Sequence, residues 1–262
     1  MRYALISDIH ANLPALDAVL SQVQGDAFDA VYHLGDLVGY APWPNEVVER
    51  IKASGIAGVA GNYDSTVATD YKHCGCRYED PKQEALSHLS YAWTREHVSA
   101  STKAFLGTLP FRIDVRPLGG HVSGPTLTLV HGNQTLNTVY VTEDRSDDFL
   151  AKMGGALGAR AGDIVAFGHT HKPWHRVVSG VHFVNTGSVG RPKDGDSRAS
   201  YVSLEISQAG IAPQIVRVEY DLDSAASGII DSALPNEFAE YLRTGGKVVT
   251  SGTLHEAAAD SA

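Results

Sequence analysis

The sequence contains very little cysteine, with only Cys74 and Cys76 among its 262 residues. The two are separated by one residue, which is too close for an easy disulfide, so a disulfide-stabilised fold of the secreted type is excluded. A reducing compartment is the simplest interpretation, and we predict a cytoplasmic location. A zinc site at this pair, beside His73, is the less favoured alternative because no second pair of ligands stands nearby.

Long apolar runs and basic runs are also missing. No stretch approaches the ~20 apolar residues that a membrane-spanning helix needs. The first residues, "MRYALISDIHAN", predict a strand rather than a signal peptide. The net charge is −9 with neutral histidines, which argues against a groove that follows many nucleic-acid phosphates. We therefore expect no membrane and no long nucleic acid as partners, whereas a small phosphorylated ligand fits if bound metal ions supply positive charge.

Strand and helix patterns alternate over the first 60 residues. The apolar run "RYALIS" predicts a buried strand, and apolar residues then recur at helical spacing from Leu13 to Val23, after Asn12 as a cap. "DAVYHLG" and "GIAGVAG" predict two more strands, with a helix over residues 45–53 between them. Such an alternation predicts an α/β fold whose parallel or mixed sheet is covered by helices.

The rest of the chain changes character twice. The pattern is helical from Ser65 onward, which predicts an inserted helical cap over about residues 65–110. Six strand patterns follow and predict a second, more antiparallel sheet packed on the first: "FRIDVR", "TLTLVHG", "DIVAFG", "VHFVNTG", "ASYVSLEI" and "PQIVRVEY". We expect one domain over residues 1–220, then a helical C-terminal appendage over 221–262 whose Gly-, Ala- and Ser-rich end from Gly245 is frayed.

Side chains that can bind metal follow five of the predicted strands. They are Asp8 and His10, Asp36, Asn62, His131, and the pair His169 and His171. Ligands in open α/β sheets gather at the carboxyl ends of strands. One such residue alone would more often be a helix cap or a turn residue, but five coincidences favour a site. Aspartate, asparagine and histidine suit a divalent ion such as Mn, Fe or Zn, and seven ligands are too many for one ion, so we predict two.

The order D-x-H, G-D, G-N, H-G and G-H-x-H resembles that of the calcineurin-like metallophosphoesterases, from Arg2 to Tyr220. "SDIHAN", "GDLVGY" and "NTGSVG" are most similar to the small bacterial and archaeal phosphodiesterase-type members. The resemblance implies a four-layer α/β/β/α sandwich of two mixed sheets. It also implies two metal sites, one formed by Asp8, His10, Asp36 and His171 and the other by Asp36, Asn62, His131 and His169, with Asp36 as the bridge.

Two departures from the family pattern concern the substrate. "GNYD" places Tyr63 where many relatives have a histidine that orients the phosphate or protonates the leaving group. Tyr63 can donate a hydrogen bond there, and a packing role is the alternative. "GDLVGY" lacks the Asp-Arg pair of the phosphoprotein phosphatases, which weakens a protein-phosphatase interpretation. Arg191 in "NTGSVGRPKDGD" is the candidate phosphate clamp, with a surface arginine in a mobile loop as the alternative.

The resemblance implies a metal-dependent phosphoesterase that uses a metal-bridging hydroxide. Its catalytic residues would include Asp36 and Asn62, together with Tyr63 and Arg191. We expect a small phosphodiester or a nucleotide polyphosphate as substrate. A phosphomonoesterase or protein phosphatase of the same fold is one alternative. A non-catalytic scaffold that retains the fold is the other, and it is disfavoured because all seven metal positions keep side chains that can bind metal.

Overall fold

Ten strands and eight helices make up the part of the chain that the structure, a computed structural model, describes: residues 1–76, 78, 80–116 and 124–247. In chain order the elements are β1 (Arg2–Ile6), α1 (Leu13–Gly25), β2 (Ala30–His33), α2 (Pro44–Ala53), β3 (Ala57–Gly58), α3 (Asn62–Ala68), α4 (Pro81–His97), α5 (Ala100–Leu106), β4 (Ile113–Val115), β5 (Leu127–Leu129), α6 (Asp147–Ala156), β6 (Ile164–Phe167), β7 (Trp174–Val178), β8 (Val181–Asn185), β9 (Ala199–Ser207), β10 (Gly210–Val218), α7 (Leu222–Ile230) and α8 (Glu237–Thr244).

The strands form two mixed five-stranded sheets. The first has the order β10-β9-β1-β2-β3, and the second has the order β4-β5-β6-β8-β7. Each sheet contains two parallel and two antiparallel pairs. The expectation that all six later strands would join a second, more antiparallel sheet is therefore wrong for β9 and β10. Strand β9 is buried on both faces over most of its length, as an interior position beside β1 requires.

Three layers of core residues separate the sheets and helices. Tyr3 and Leu5 of β1 belong to the core between the two sheets, whereas Ala4 and Ile6 pack into the core under the helices of the first sheet. Strand β6 alternates in the same way, with Phe167 in the core between the second sheet and α6. Side chains that alternate along buried strands therefore supply cores on both faces. The result is the predicted four-layer α/β/β/α sandwich.

Some elements differ from the sequence pattern. The predicted helical appendage contains two separate helices in its described part, because α7 ends at Ile230 and α8 begins at Glu237. Pro235 lies in the break and lacks the backbone N–H that a continuous helix would need. Helix α6 and strand β7 were not predicted. Within the described ranges, no helix is long and apolar enough to cross a membrane. From residue 248 onward, the end that we predict to be frayed lies outside the described residues.

The three helices α3, α4 and α5 lie between β3 and β4; α4 and α5 lie inside the range predicted for a cap, whereas α3 begins at Asn62, before it. Residues 77 and 79, in the same range, are outside the described residues. The boundaries of a cap over 65–110, and of an appendage over 221–262, stay predictions.

Candidate metal centre

The predicted metal ligands stand just beyond the carboxyl ends of strands from both sheets. β1 and β2 belong to the first sheet, and β5 and β6 to the second, so the site lies where the two sheets meet. Five of the seven ligand positions have left-handed backbone: Asp8 (φ 52°), His10 (φ 49°), Asp36 (φ 55°), His169 (φ 66°) and His171 (φ 60°). Residues other than glycine rarely adopt this region, and such strain concentrates at functional sites.

Asp8, His10 and His171 form one group of potential ligands, and all three are buried. The Nε2 atoms of His10 and His171 lie 3.1 Å apart, and His171 Nε2 lies 3.3 Å from Asp8 Oδ1. Asp8 Oδ2 accepts hydrogen bonds from Ser7 Oγ and from the backbone N–H of His169. Asp8 Oδ1 is buried and has no hydrogen-bond partner within the described residues, as expected for an atom placed to bind a cation.

Asp36, His131 and His169 form the second group, and Asn62 adjoins it. His131 Nε2 lies 3.5 Å from Asp36 Oδ2, 3.1 Å from Asn62 Oδ1 and 3.3 Å from His169 Nδ1. His169 Nε2 is buried without a hydrogen-bond partner in the part of the chain that is described. Two buried carboxylates, Asp8 and Asp36, need positive charge nearby, so the donor set of both groups fits divalent metal ions.

One oxygen of Asp36 lies between the two groups. Asp36 Oδ2 is 3.7 Å from His10 Nε2 in the first group and 3.5 Å from His131 Nε2 in the second. The other oxygen, Oδ1, accepts a hydrogen bond of 2.8 Å from the backbone N–H of Tyr63, which fixes the carboxylate. Asp36 therefore contacts ligand candidates of both groups through the same oxygen.

Backbone carbonyls orient three of the four histidines. The Nδ1 atoms face carbonyl oxygens of Val38 for His10 (3.0 Å), Leu34 for His131 (2.7 Å) and Arg191 for His171 (2.5 Å). A proton held on Nδ1 leaves the lone pair of Nε2 free for a metal ion. Burial lowers the pKa of His10 to about 3 and places the pKa values of His169 and His171 well below 6.5, which favours the neutral ligand form.

His131 differs from the other three histidines in its charge. Burial lowers its pKa, but the Asp36 carboxylate outweighs burial and raises the pKa of His131 to about 9. A cation bound at the same carboxylate would compete with this proton. Metal binding at the second group is therefore expected to release a proton from His131.

The two cysteines lie against the second group. The Nδ2 atom of Asn62 donates hydrogen bonds to the carbonyl oxygen of Cys74 (3.1 Å) and to Cys76 Sγ (3.2 Å), so that Oδ1 faces His131. Both thiols are free. Neither cysteine belongs to a described group of three or more side chains close enough to share an ion, so the structure gives no support to the separate zinc site. Their contact with Asn62 was not predicted from the sequence.

Tyr63 is fully buried, and its ring packs against other rings of the site. The ring centroid lies 5.6 Å from that of His10 and 5.2 Å from that of Tyr40. The hydroxyl group donates to Ser90 Oγ at 3.4 Å. Burial raises the pKa of Tyr63 well above its ordinary value, which makes it a poor proton donor. The packing alternative fits this geometry.

Asp64, the last residue of "GNYD", stabilises the loops that carry the site. Its role was not predicted from the sequence. Its carboxylate accepts hydrogen bonds from three backbone N–H groups, those of Asp36 (2.8 Å), Leu37 (2.9 Å) and Gly61 (2.9 Å). It thus joins the loop after β2 to the start of α3, and holds Asp36 and Asn62 in register. An acidic residue two positions after the predicted metal ligand Asn62 is the signal that could have identified it.

Arg191 is buried, so it is not the surface arginine that the sequence left as an alternative. Its guanidinium carbon lies 3.9 Å from the ring centroid of Tyr40. Within the described residues, its Nε and Nη1 atoms have no hydrogen-bond partner. Lys193, two residues later in the sequence, was not predicted. It lines the same pocket as His10, Asp36, His169 and His171, which we call the metal pocket. Burial and the Arg191 guanidinium lower the pKa of Lys193 to about 7.

Paired aspartates and histidines at the joined edges of two mixed sheets form two groups that could each hold a metal ion. The chain belongs to the calcineurin-like phosphoesterase superfamily, whose domain model matches residues 1–209. It is therefore a phosphoester hydrolase by family, and the predicted family and fold are confirmed.

Three known proteins resemble the chain over nearly its whole length. The uncharacterized protein MJ0912 of Methanocaldococcus jannaschii is 31% identical over 263 residues, which cover 92% of this chain and 97% of the relative. A metallophosphoesterase from Sphaerobacter thermophilus is 29% identical with a TM-score of 0.71, covering 94% of this chain and 100% of the other. The hypothetical protein PH1004 from Pyrococcus horikoshii OT3 is 21% identical with a TM-score of 0.77, covering 94% and 99%.

Proposed function

We propose that the chain hydrolyses small phosphodiesters or nucleotide polyphosphates with the help of two divalent metal ions. The observation that carries this proposal is the position of Asp36 Oδ2 between two buried ligand groups. One ion would be held by Asp8, His10, Asp36 and His171, and the other by Asp36, Asn62, His131 and His169. The donors suit Mn, Fe or Zn. With both ions bound, the centre would polarise a phosphoryl group and activate water for attack.

The two basic side chains beside the centre, Lys193 and Arg191, support a substrate that carries a second phosphate or a second ester group. Lys193 lines the metal pocket, where its ammonium group would contact the phosphoryl group under attack. Arg191 lines the neighbouring cavity, where its Nε and Nη1 groups, which have no hydrogen-bond partner in the described part of the chain, would contact a second phosphate or the second ester group of a diester. A simple monoester would use only the first of these positions. The arrangement therefore favours a diester or a polyphosphate.

The roles of the remaining residues follow from their hydrogen bonds. Asn62 would offer Oδ1 to one ion, because its Nδ2 is held by the cysteine loop. Tyr63 would position Asp36 through its backbone N–H rather than protonate the leaving group, since its hydroxyl is directed at Ser90. Without a proton donor at this position, substrates with good leaving groups are expected to react fastest.

The free state of Cys74 and Cys76 supports the proposed cytoplasmic location. The scaffold alternative and the monoesterase alternative are decided by the assays below.

The test combines metal content with a substrate panel. Protein that has been stripped and reloaded with Mn is expected to bind two equivalents and to hydrolyse bis(4-nitrophenyl) phosphate or diadenosine tetraphosphate faster than 4-nitrophenyl phosphate. Asp36→Asn is expected to lose activity by about 100-fold or more, because both ions lose a ligand. Asp148→Asn, at an exposed position of α6, is the matched control and should retain it.

Three results would contradict the proposal. A wild-type rate in Asp36→Asn would contradict the bridging role of Asp36. Protein that binds no metal after reconstitution would favour the scaffold alternative. A faster rate on the monoester would favour the phosphomonoesterase instead.

A further inference from the structure

A second cavity adjoins the metal pocket. It has a volume of about 230 Å³ and is lined by Tyr78, Gln83, Arg191, Pro192, Lys193 and Tyr241. Its surface is largely apolar, although two of the lining side chains are cationic. Tyr78 and Lys193 also line the metal pocket, so these two side chains form the wall between the spaces.

The metal pocket itself has almost no free room. Its volume is about 10 Å³, which is about the space of one water molecule. A phosphoryl group needs more room than this, and a movement of Tyr78 and Lys193, which line both spaces, would join them. Any larger part of the substrate must then extend outward, and the 230 Å³ cavity is the adjoining space that can receive it.

The side chains of the second cavity suit a flat ring that is attached to phosphate. Tyr241 accepts a hydrogen bond from Gln83 Nε2, which fixes its ring. The Arg191 guanidinium carbon lies 5.7 Å from the centroid of that ring and 3.9 Å from the centroid of Tyr40. Aromatic and guanidinium planes stack with nucleobases, and the neighbouring positive charges favour phosphate. An alkyl chain would fill the apolar volume but would make no use of Arg191 or Lys193.

We propose that this cavity binds the base of a nucleotide substrate while a phosphate of the same molecule lies at the metal centre. The proposal rests on the proposed function and narrows its substrate class to nucleotides. Tyr241 would be the stacking residue, and the Gln83 amide group would be positioned for the polar edge of the base. Neither residue contacts the metal ligands in the hydrogen bonds described above.

The test measures binding rather than turnover. Adenosine 5′-monophosphate and ribose 5-phosphate differ only by the base, and each is titrated calorimetrically into the Mn-loaded protein. Stacking of one base contributes about 1–3 kcal/mol, so the nucleotide is expected to bind about 5- to 150-fold more tightly. Tyr241→Ala should abolish most of this difference, whereas Tyr241→Phe should keep most of it. Arg243→Ala, at an exposed position of the same helix, is the matched control.

Each outcome decides one of the two proposals. Equal or absent binding of the two ligands by the wild-type protein overturns the base site, and so does an unchanged difference in Tyr241→Ala. If Tyr241→Ala does not fold, Gln83→Ala takes its place and should reduce the difference. Base-dependent binding without any hydrolysis in the substrate panel would refute the proposed function but keep the base site. Hydrolysis in the substrate panel together with base-independent binding would support the proposed function and refute the base site.

Discussion

His33 gives the structure a specific sensitivity to acid. The side chain lies in β2 and is fully buried, and within the described residues neither ring nitrogen has a hydrogen-bond partner. Burial alone lowers the pKa of His33 from 6.5 to about 3 in the folded protein. The neutral ring is therefore the form that the core accepts. Because Leu34 follows directly and its carbonyl orients His131, loosening of this strand would also disturb the metal centre.

The size of the effect follows from the two pKa values. The unfolded chain binds a proton at His33 below about pH 6.5, whereas the folded chain does so only near pH 3. A histidine with a lowered folded-state pKa contributes no penalty above its unfolded pKa and destabilises the protein progressively as the pH falls. Between about pH 7.5 and about pH 5, this single group removes about 2 kcal/mol from the free energy of unfolding.

The variant His33→Leu removes the titrating group and should remove its share of the pH dependence. Urea unfolding of both proteins at the two pH values, with a chelator present, gives four free energies of unfolding. The loss between the two pH values should be about 2 kcal/mol smaller in the variant, whatever its stability at neutral pH. His88→Leu, at an exposed position of α4, serves as control. Equal losses in the wild-type protein and in His33→Leu would refute the argument from burial.

Two further predictions concern the support of the site. Cys76→Ala should weaken metal affinity about 10- to 100-fold in a Mn titration, because the thiol that orients the Asn62 amide is lost. Cys74→Ala should have a smaller effect, since Cys74 uses its carbonyl oxygen, and equal effects would contradict this assignment. Gly39→Ala should lower the free energy of unfolding by about 1–3 kcal/mol, because φ is +102° and the added carbon would lie 2.5 Å from a buried tyrosine ring. Gly155→Ala, in a helix with open space around it, should be neutral or slightly stabilising in the same chemical denaturation, and an equal loss there would contradict the argument.

Much of the metal centre was predictable because each ligand follows an apolar run. Buried parallel strands end at one edge, so a polar residue directly after such a run can be placed without knowledge of the strand order. Asp8, Asp36 and His131 are of this kind. The strand order itself was not predictable from the local pattern. β9 and β10 have the apolar character of strands from either sheet, and only long-range pairing with β1 decides their position.

The residues that the sequence did not reveal gain their importance through tertiary contacts. Lys193 stands in "RPKDGD", a stretch that is typical of an exposed loop, and it becomes part of the metal pocket only because that loop folds back beside His171. Cys76 contacts Asn62 although 14 residues separate them in sequence. No spacing rule connects such pairs. For the same reason, sequence alone could not decide between catalysis and packing for Tyr63.

Backbone hydrogen bonds tie together the loops that carry the ligands. Left-handed residues cost about 1–3 kcal/mol each, and the centre contains several of them. The loops are held by hydrogen bonds across the site, from Asp8 N to the Gly35 oxygen (3.0 Å), from His10 N to the Asp36 oxygen (3.0 Å) and from Gly190 N to the Asp8 oxygen (3.1 Å). These bonds stabilise the left-handed residues of the centre. Because these bonds connect the ligand loops to one another, metal binding is expected to cost little ordering entropy.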